Sequence, residues 1–119
     1  MKHQKSFKKL NMSGPYRRAF LRNQVISLIM NGSLKTTKAR AKEVRRIAEK
    51  LVTLAREGNT FNNRRRAKAI LPYREEALVK LFIEIAPRYV SRPGGYTRIY
   101  QLGRRLSDTA EMARVEWVL

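Results

Sequence analysis

Residues 37–57, TKARAKEVRRIAEKLVTLARE, decide the fold because they hold the clearest helical pattern in the chain. Apolar residues recur there at offsets 0, 3, 4, 7, 10 and 11, at Val44, Ile47, Ala48, Leu51, Leu54 and Ala55. That spacing places them in one stripe along an α-helix. Thr37 is a favourable N-cap residue. We therefore predict a helix from Lys38 to about Glu57 whose stripe faces a core. Its basic residues Lys38, Lys42, Arg45 and Arg46 should lie within one broad face of this helix.

Toward the N-terminus, the pattern predicts an earlier helix that begins near Pro15 or Tyr16 and ends at Asn31. Proline is tolerated in a first helical turn, and Gly32 offers a left-handed C-terminal cap. Apolar residues surround much of the second half of this helix, so that half should be central to the core. The connector at 33–36 has some strand character.

Toward the C-terminus, two more helices are predicted, from Phe61 to Leu71 and from about Arg74 to Ala86. Pro72 should stop the first and Pro87 the second, because proline lacks the amide that a helix interior needs. Then the pattern changes to strands at residues 96–102 and 112–119. Strict alternation puts the second strand's apolar residues on one face, at Ala113, Val115, Trp117 and Leu119.

These elements predict an α+β fold in two layers, with about four helices packed on a small two- or three-stranded sheet. The two late strands form a hairpin with a basic tip at Arg104 and Arg105. A lone hairpin is marginally stable, so it should pack on the helices, and residues 33–36 are a candidate for a third strand.

The chain of 119 residues has a formal net charge of +18. Its first acid is Glu43, which eleven basic residues precede: Lys2, Lys5, Lys8, Lys9, Arg17, Arg18, Arg22, Lys35, Lys38, Arg40 and Lys42. So much unpaired charge is best explained by a polyanion, most simply nucleic acid. Residues 1–12 lack periodicity and are expected to be a basic arm that becomes ordered on RNA, while residues 13–119 form a single globular domain.

Catalysis, metals and cofactors find no support in the residue types. There is no cysteine, and the one histidine, His3, lies in the arm without a partner residue. Glu75 and Glu76 suit the first turn of a helix. Gly94-Gly95 lacks the Lys-Ser/Thr that follows a P-loop. We therefore expect no enzyme, metal, cofactor or small-molecule substrate, and no membrane partner, since no apolar run approaches the roughly 18 residues of a span.

For each of three features the sequence leaves two explanations open. Gly94-Gly95 is either a tight turn or a bare backbone that lets a phosphate approach, and Tyr96 either stacks on a base or packs in the core. The run Arg64–Arg66 spans about 300° of a helix, so it either contacts phosphates or keeps a thin helix solvated.

Several segments together resemble one family. They are the opening Met1-Lys2-His3, then Arg22-Asn23-Gln24, Leu34-Lys35-Thr36-Thr37, Ala86-Pro87-Arg88-Tyr89 and Gly94-Gly95-Tyr96-Thr97-Arg98-Ile99. In this order and spacing the chain resembles the bacterial large-subunit ribosomal protein seventeen family. The resemblance implies a cytoplasmic structural protein that binds large-subunit ribosomal RNA near the exit of the polypeptide tunnel. It also implies a monomer within the ribosome with large-subunit protein thirty-two as a neighbour.

The chain departs from the family in places, with Gly14-Pro15-Tyr16 and Asn31-Gly32 where histidines are common. Arg105-Leu106-Ser107-Asp108 stands where an Arg-x-Gly-Asp turn is usual, so the hairpin tip is expected to differ in shape.

Charge and resemblance together give the predicted RNA contacts. The alternative function is a DNA-binding architectural protein, although no helix-turn-helix, zinc finger or basic zipper is recognisable. The predicted contacts are Lys2, His3, Lys5, Lys8, Lys9, Arg17, Arg18, Arg22, Asn23, Lys35, Thr36, Thr37, Lys38, Lys42, Arg45, Arg46, Arg92, Gly94, Gly95, Tyr96, Thr97 and Arg98.

Overall fold

The structure, a computed structural model, describes residues 13–72 and 74–118. The predicted arm at residues 1–12, with Tyr73 and Leu119, lies outside the described residues. The elements in chain order are α1 Gly14–Asn31, β1 Ser33–Thr37, α2 Lys38–Ala55, α3 Phe61–Ile70, α4 Glu75–Lys80, β2 Thr97–Arg104 and β3 Glu111–Trp117. Helices packed on a three-stranded antiparallel sheet confirm the predicted α+β fold.

Helix boundaries follow the capping residues. The Thr37 hydroxyl accepts a hydrogen bond from the Arg40 amide at 3.5 Å, and the Thr60 hydroxyl accepts one from the Asn63 amide at 3.2 Å. Gly32 ends α1 in the left-handed region, at φ 85°. Each device satisfies a backbone group that a helix end leaves unpaired. The predicted starts of α2 and α3 and the end of α1 are confirmed.

The predicted end of the fourth helix at Pro87 is wrong. After α4 the chain continues through a π-helical turn, Leu81–Ile85, and a 3₁₀ turn, Ala86–Tyr89, that contains Pro87. The Ala86 amide reaches back five residues to the Leu81 carbonyl. A proline ring clashes with the carbonyl four residues before it in a regular α-helix, and a change of helical pitch offers relief.

The sheet has the strand order β1-β3-β2, so the strand nearest the C-terminus is central. Leu34 and Ile99 both pair with Val115, one from each side. The predicted third strand is therefore present as β1. The register of β2 shifts between Gln101 and Gly103, where Gly103 has φ 86°. This irregularity is typical of a β-bulge, which the sequence reading did not anticipate.

The core lies between the sheet and helices α1 and α2. On β3 the predicted inward residues Ala113, Val115 and Trp117 are all buried. The Trp117 indole donates to the Leu28 carbonyl at 3.2 Å, which ties β3 to the buried second half of α1. In α2 the stripe residues are buried or packed against the core. Both helices therefore take the roles that their apolar patterns predicted.

Candidate nucleic-acid interface

The basic side of α2 forms a groove with β2. Four predicted contact residues, Lys38, Lys42, Arg45 and Arg46, line this groove. Its other lining residues are Glu49, Ile99 and Gln101. The stripe on the opposite side of α2 is held in the core, so the helix presents these cations outward. The structure thus brings together four cations that the sequence predicted on one face.

An adjoining depression extends the groove toward the hairpin tip. It shares Lys38 and Gln101 with the first part, and adds Arg104 and Glu111 among its lining residues. We call the two depressions together the basic groove. Its cations are Lys38, Lys42, Arg45, Arg46 and Arg104, and its acids are Glu49 and Glu111.

Both acids of the basic groove have internal partners. Glu111 lies 3.6 Å from the Arg104 guanidinium. Glu49 accepts three hydrogen bonds, from the Gly95 amide at 3.0 Å and from the Thr97 amide and hydroxyl at 2.8 and 2.9 Å. A carboxylate held by amide and hydroxyl donors is a structural anchor. The groove therefore keeps an excess of positive charge along its length.

The loop that Glu49 anchors is held from its other side by arginines. The Arg92 guanidinium donates to the Gly94 carbonyl at 3.2 Å. The Arg56 guanidinium donates to the Arg92 carbonyl and, at 3.5 Å, to the Tyr89 carbonyl. Gly95 has φ 64° and Gly94 has φ 134°, conformations that only glycine adopts readily. The Gly94-Gly95 pair is thus a tight turn, and the backbone of Gly95 remains exposed.

Three predicted contact residues have buried side chains. Tyr96, Thr97 and Thr36 are 1%, 3% and 7% exposed. Their side chains do not form surface that a nucleobase or phosphate could reach, and this corrects their inclusion as side-chain contacts. The sequence alone did not predict that Thr36 and Thr97 are buried, because β1 and β2 acquire buried faces only when they pair with β3.

Tyr96 belongs to a small buried network below the loop. Its ring centroid lies 5.2 Å from that of Tyr89, and its hydroxyl accepts a hydrogen bond from Thr53 at 3.3 Å. The Tyr89 hydroxyl donates to the Val118 carbonyl. Burial raises the pKa of the Tyr89 hydroxyl above its ordinary value. Of the two roles left open for Tyr96, packing is the one that the structure matches.

The other predicted residues lie on separate surfaces. Arg18 and Asn23 are exposed on α1, whereas Arg17 and Arg22 are half-buried and have interactions within the chain. Lys35 is exposed on β1, and Arg92 and Arg98 flank the glycine loop. Thr37 is used as the cap of α2. None of these residues is among those that line the basic groove in the described part of the chain.

Sequence reasoning missed the anchoring role of Glu49 and the contribution of Gln101. Glu49 follows Lys42 and Arg45 by seven and four positions, so a lone acid on a basic helix face was a usable signal. Gln101 gave no such signal, since its place in the groove depends on the strand pairing. Arg64 and Arg65 are exposed but line a different groove, between α3 and α4.

The hairpin tip is closed by a two-point ion pair. The Arg105 guanidinium donates to both Asp108 carboxylate oxygens, at 2.9 and 2.7 Å, and the Ala110 amide donates to one of them at 3.2 Å. These bonds, led by that from Arg105, lower the pKa of Asp108 to about 2. Thr109 takes φ 58° to complete the turn. The tip is therefore an ordered basic projection.

Neither a membrane-spanning helix nor a cluster of metal ligands occurs among the described residues. No helix there is long and apolar enough to cross a membrane. No three His, Cys, Asp or Glu side chains in residues 13–72 and 74–118 are grouped so that they could hold a metal ion.

Comparison with known proteins gives consistent matches. The family model described as Ribosomal protein L17 matches residues 20–118. The "Large ribosomal subunit protein bL17" of Gemmatimonas aurantiaca is 45% identical over 119 residues, which cover 100% of this chain and 99% of that protein. The proteins of the same name from Dictyoglomus thermophilum and Fusobacterium nucleatum are 48% and 47% identical over 118 residues, covering 99% of this chain and 100% of each relative.

Proposed function

Since the chain belongs to the ribosomal protein L17 family, we propose that it binds and stabilises large-subunit ribosomal RNA through its basic groove. Membership makes it a structural, non-enzymatic constituent of the bacterial-type large ribosomal subunit, which works in the cytoplasm. The contacts with RNA are a more detailed proposal than membership of the family. They rest on the geometry of the groove together with the charge of the chain.

One observation carries the proposal: five cations line the basic groove against two acids, of which Glu111 pairs with the groove's own Arg104 and Glu49 is held by the amides of Gly95 and Thr97. Phosphates that entered this groove would release counterions, which is the main source of affinity in such complexes. The groove is built on a helix and a hairpin that share the core, so its cations are preorganised. Preorganisation lowers the entropy cost of binding.

Other predicted contacts extend the proposed interface. Arg18 and Asn23 on α1, Lys35 on β1 and the loop arginines Arg92 and Arg98 are exposed and able to meet phosphates. The arm residues Lys2, His3, Lys5, Lys8 and Lys9 are proposed to insert between RNA helices. The groove would then act as a preformed surface and the arm as an insertion.

The position in the subunit is a separate part of the proposal. The resemblance of the sequence supports a place near the polypeptide tunnel exit, as a monomer beside large-subunit protein thirty-two. Cryo-electron microscopy of large subunits that contain this chain would test it. Density for the fold far from the exit would overturn this part while leaving RNA binding intact.

Salt titration tests the role of the basic groove. For the unaltered chain and a large-subunit RNA fragment, about six phosphate contacts give a log-log salt slope of roughly −4 or steeper. The variant K42Q/R45Q/R46Q should lose roughly 2 to 3 from the magnitude of this slope. Filter binding between low and moderate salt measures it.

The matched control is R64Q/R65Q/R66Q, which removes the same charge from exposed positions on α3. Its slope should stay close to that of the unaltered chain. An equal loss in both variants would contradict a groove-specific contact, and it would support the phosphate-contact explanation for Arg64–Arg66.

Competition binding separates the proposal from a DNA-binding architectural role. Folded ribosomal RNA should displace the chain from duplex DNA at equal salt, because a protein of this family works in the large ribosomal subunit. Preference for duplex DNA at equal salt would favour the alternative.

A further inference from the structure

A second groove, the α3–α4 groove, lies between α3 and the helical run that α4 and the π-helical turn Leu81–Ile85 form together, and its lining is mainly apolar. Leu78 and Phe82 are largely buried within it, while Phe61, Val79 and Ile83 form its edges. Its volume is about 600 Å³, enough to accept several side chains. None of its lining residues belongs to the basic groove.

The apolar side chains at the edges of this α3–α4 groove are unusually exposed to solvent. Phe61 is 71%, Val79 52% and Ile83 61% exposed, and they are three of the eight large apolar residues exposed in the described part of the chain. Single exposed apolar residues are ordinary, but a contiguous group around a cleft is typical of an interaction surface.

The two walls of the groove carry opposite charge. Arg64, Arg65 and Lys68 stand on the α3 wall. Glu75 stands on the α4 wall, and an adjoining depression that shares Glu75 adds Glu76 and Glu84. These are three of only nine acids in the chain.

Two of these carboxylates are available to pair with cations of a binding partner. Glu76 lies 3.7 Å from Arg74, but within residues 13–72 and 74–118 neither Glu75 nor Glu84 has a cationic partner within salt-bridge distance. The nearby Lys80 ammonium donates instead to the Met30 carbonyl at 3.0 Å. The α4 side of the groove is therefore both apolar and negative, which disfavours RNA phosphates.

We propose that the α3–α4 groove binds a segment of a neighbouring large-subunit protein. The segment carries apolar side chains that cover Leu78 and Phe82, and Lys or Arg residues that pair with Glu75 and Glu84. The inference rests on the proposed function, because the subunit supplies the neighbour. A protein that also serves ribosomal RNA has basic residues available for such pairing.

A symmetric pairing of this groove with the same groove of a second copy fits less well. Two concave surfaces that face each other leave their floors apart, so Leu78 and Phe82 would stay uncovered. A protruding segment reaches the floor and replaces water there, which is the usual source of affinity for apolar clefts.

Site-specific photo-crosslinking in assembled large subunits tests the proposal. A photoreactive amino acid replaces Ile83 in one variant and Val90, which is 64% exposed outside the groove, in the control. Subunits are purified, irradiated, and their cross-linked peptides sequenced. Position 83 should cross-link to a protein peptide that contains apolar residues and Lys or Arg, and position 90 should not give that peptide.

A charge-reversal variant gives a second measurement. E75K/E84K should lose the cross-link from position 83, whereas E57K, at an exposed position outside the groove, should retain it. Both variants should still co-sediment with the subunit, because the basic groove is unchanged. Thermal unfolding verifies that each variant folds.

Each outcome has a definite meaning. A cross-link from position 83 to RNA, to a second copy of the chain or to a peptide without cations would overturn the inference, as would no cross-link at all. If the unaltered chain were absent from large subunits, the proposed function itself would fail first.

Discussion

Glu49 shows how one acid in a basic chain serves the fold. Its two carboxylate oxygens hold the Gly95 amide and both the amide and hydroxyl of Thr97. The start of β2 is thereby fixed against α2. Acids are scarce in this molecule, and this one is used for positioning a loop beside the proposed RNA surface.

Replacing this acid should destabilise the loop and the fold. E49Q retains one acceptor oxygen and loses the charge, so we expect a loss of about 1.5 to 3 kcal/mol in the free energy of unfolding. Urea unfolding measures the change. E57Q is the matched control, since Glu57 is exposed two positions beyond the end of α2, and it should change stability by less than about 0.5 kcal/mol. Equal stability of the two variants would refute the anchoring role.

Asp108 makes the hairpin tip sensitive to acid. Its folded pKa of about 2 lies below the ordinary value of 3.8. The stabilisation is therefore complete above about pH 4 and is lost as the pH falls toward about 2. Carbon-13 NMR of the carboxyl group should show a midpoint near 2, and D108N should abolish the pH dependence of tip resonances in that window. A midpoint near 3.8 would show that the Arg105 contact is not formed in solution.

The sequence correctly predicted which face of α2 its basic residues share, but it did not predict the burial of two threonines. Lys42, Arg45 and Arg46 were placed correctly on one face, because helical geometry fixes which side chains share a face. Thr36 and Thr97 were taken as surface residues and are buried. Their position depends on strand register, which arises from pairing between distant segments.

At the scale of elements, local chemistry determined where most helices begin and end. Thr37 caps α2 and Gly32 closes α1, as the sequence predicted, and Thr60 caps α3 at its predicted start. Pro87 was the exception. A proline normally ends an α-helix, but here the π-helical turn Leu81–Ile85 precedes Pro87 and the 3₁₀ turn Ala86–Tyr89 contains it, so the helical run continues past the proline.

The left-handed cap at Gly32 can be tested directly. A Cβ at this position would meet no atom within 4 Å, so the cost of G32A comes from the backbone alone. We expect a loss of about 1 to 2 kcal/mol, measured by chemical denaturation. G14A is the control, because Gly14 begins a helix and alanine there is neutral or slightly stabilising. If G32A were as stable as the unaltered chain, the left-handed cap would not be the conformation in solution.

At the scale of the whole molecule, the two grooves divide its surface by chemistry. The basic groove lies on α2 and the hairpin, and the apolar groove with its acids lies on α3 and α4. Charge of +18 alone predicted a nucleic-acid partner, but it gave no indication of an acid-bearing apolar surface. That surface depends on how α3 and α4 pack, which composition does not encode.

Removing residues 1–12 tests whether the domain folds independently of the arm and whether the arm contributes to RNA binding. The truncated chain is expected to keep its far-ultraviolet circular dichroism and its unfolding midpoint, because the core lies within the described residues. The loss of four lysines should reduce the magnitude of the RNA salt slope by about 3. Collapse of the domain on truncation would place the boundary elsewhere, and an unchanged slope would argue against insertion of the arm into RNA.

The central position of β3 has a consequence for how the chain acquires its sheet. Within the described residues β1 and β2 each pair with β3 alone, and Ser33 pairs with Glu116, which lies eighty-three positions later in the chain. During synthesis β1 therefore leaves the translating ribosome long before its partner strand exists. The helices can form and pack before β3 is synthesised, but the hydrogen bonds between strands of the sheet can form only after β3 is available. Because the β1–β3 pairing joins segments so distant in sequence, we expect it to form later than the local β2–β3 hairpin.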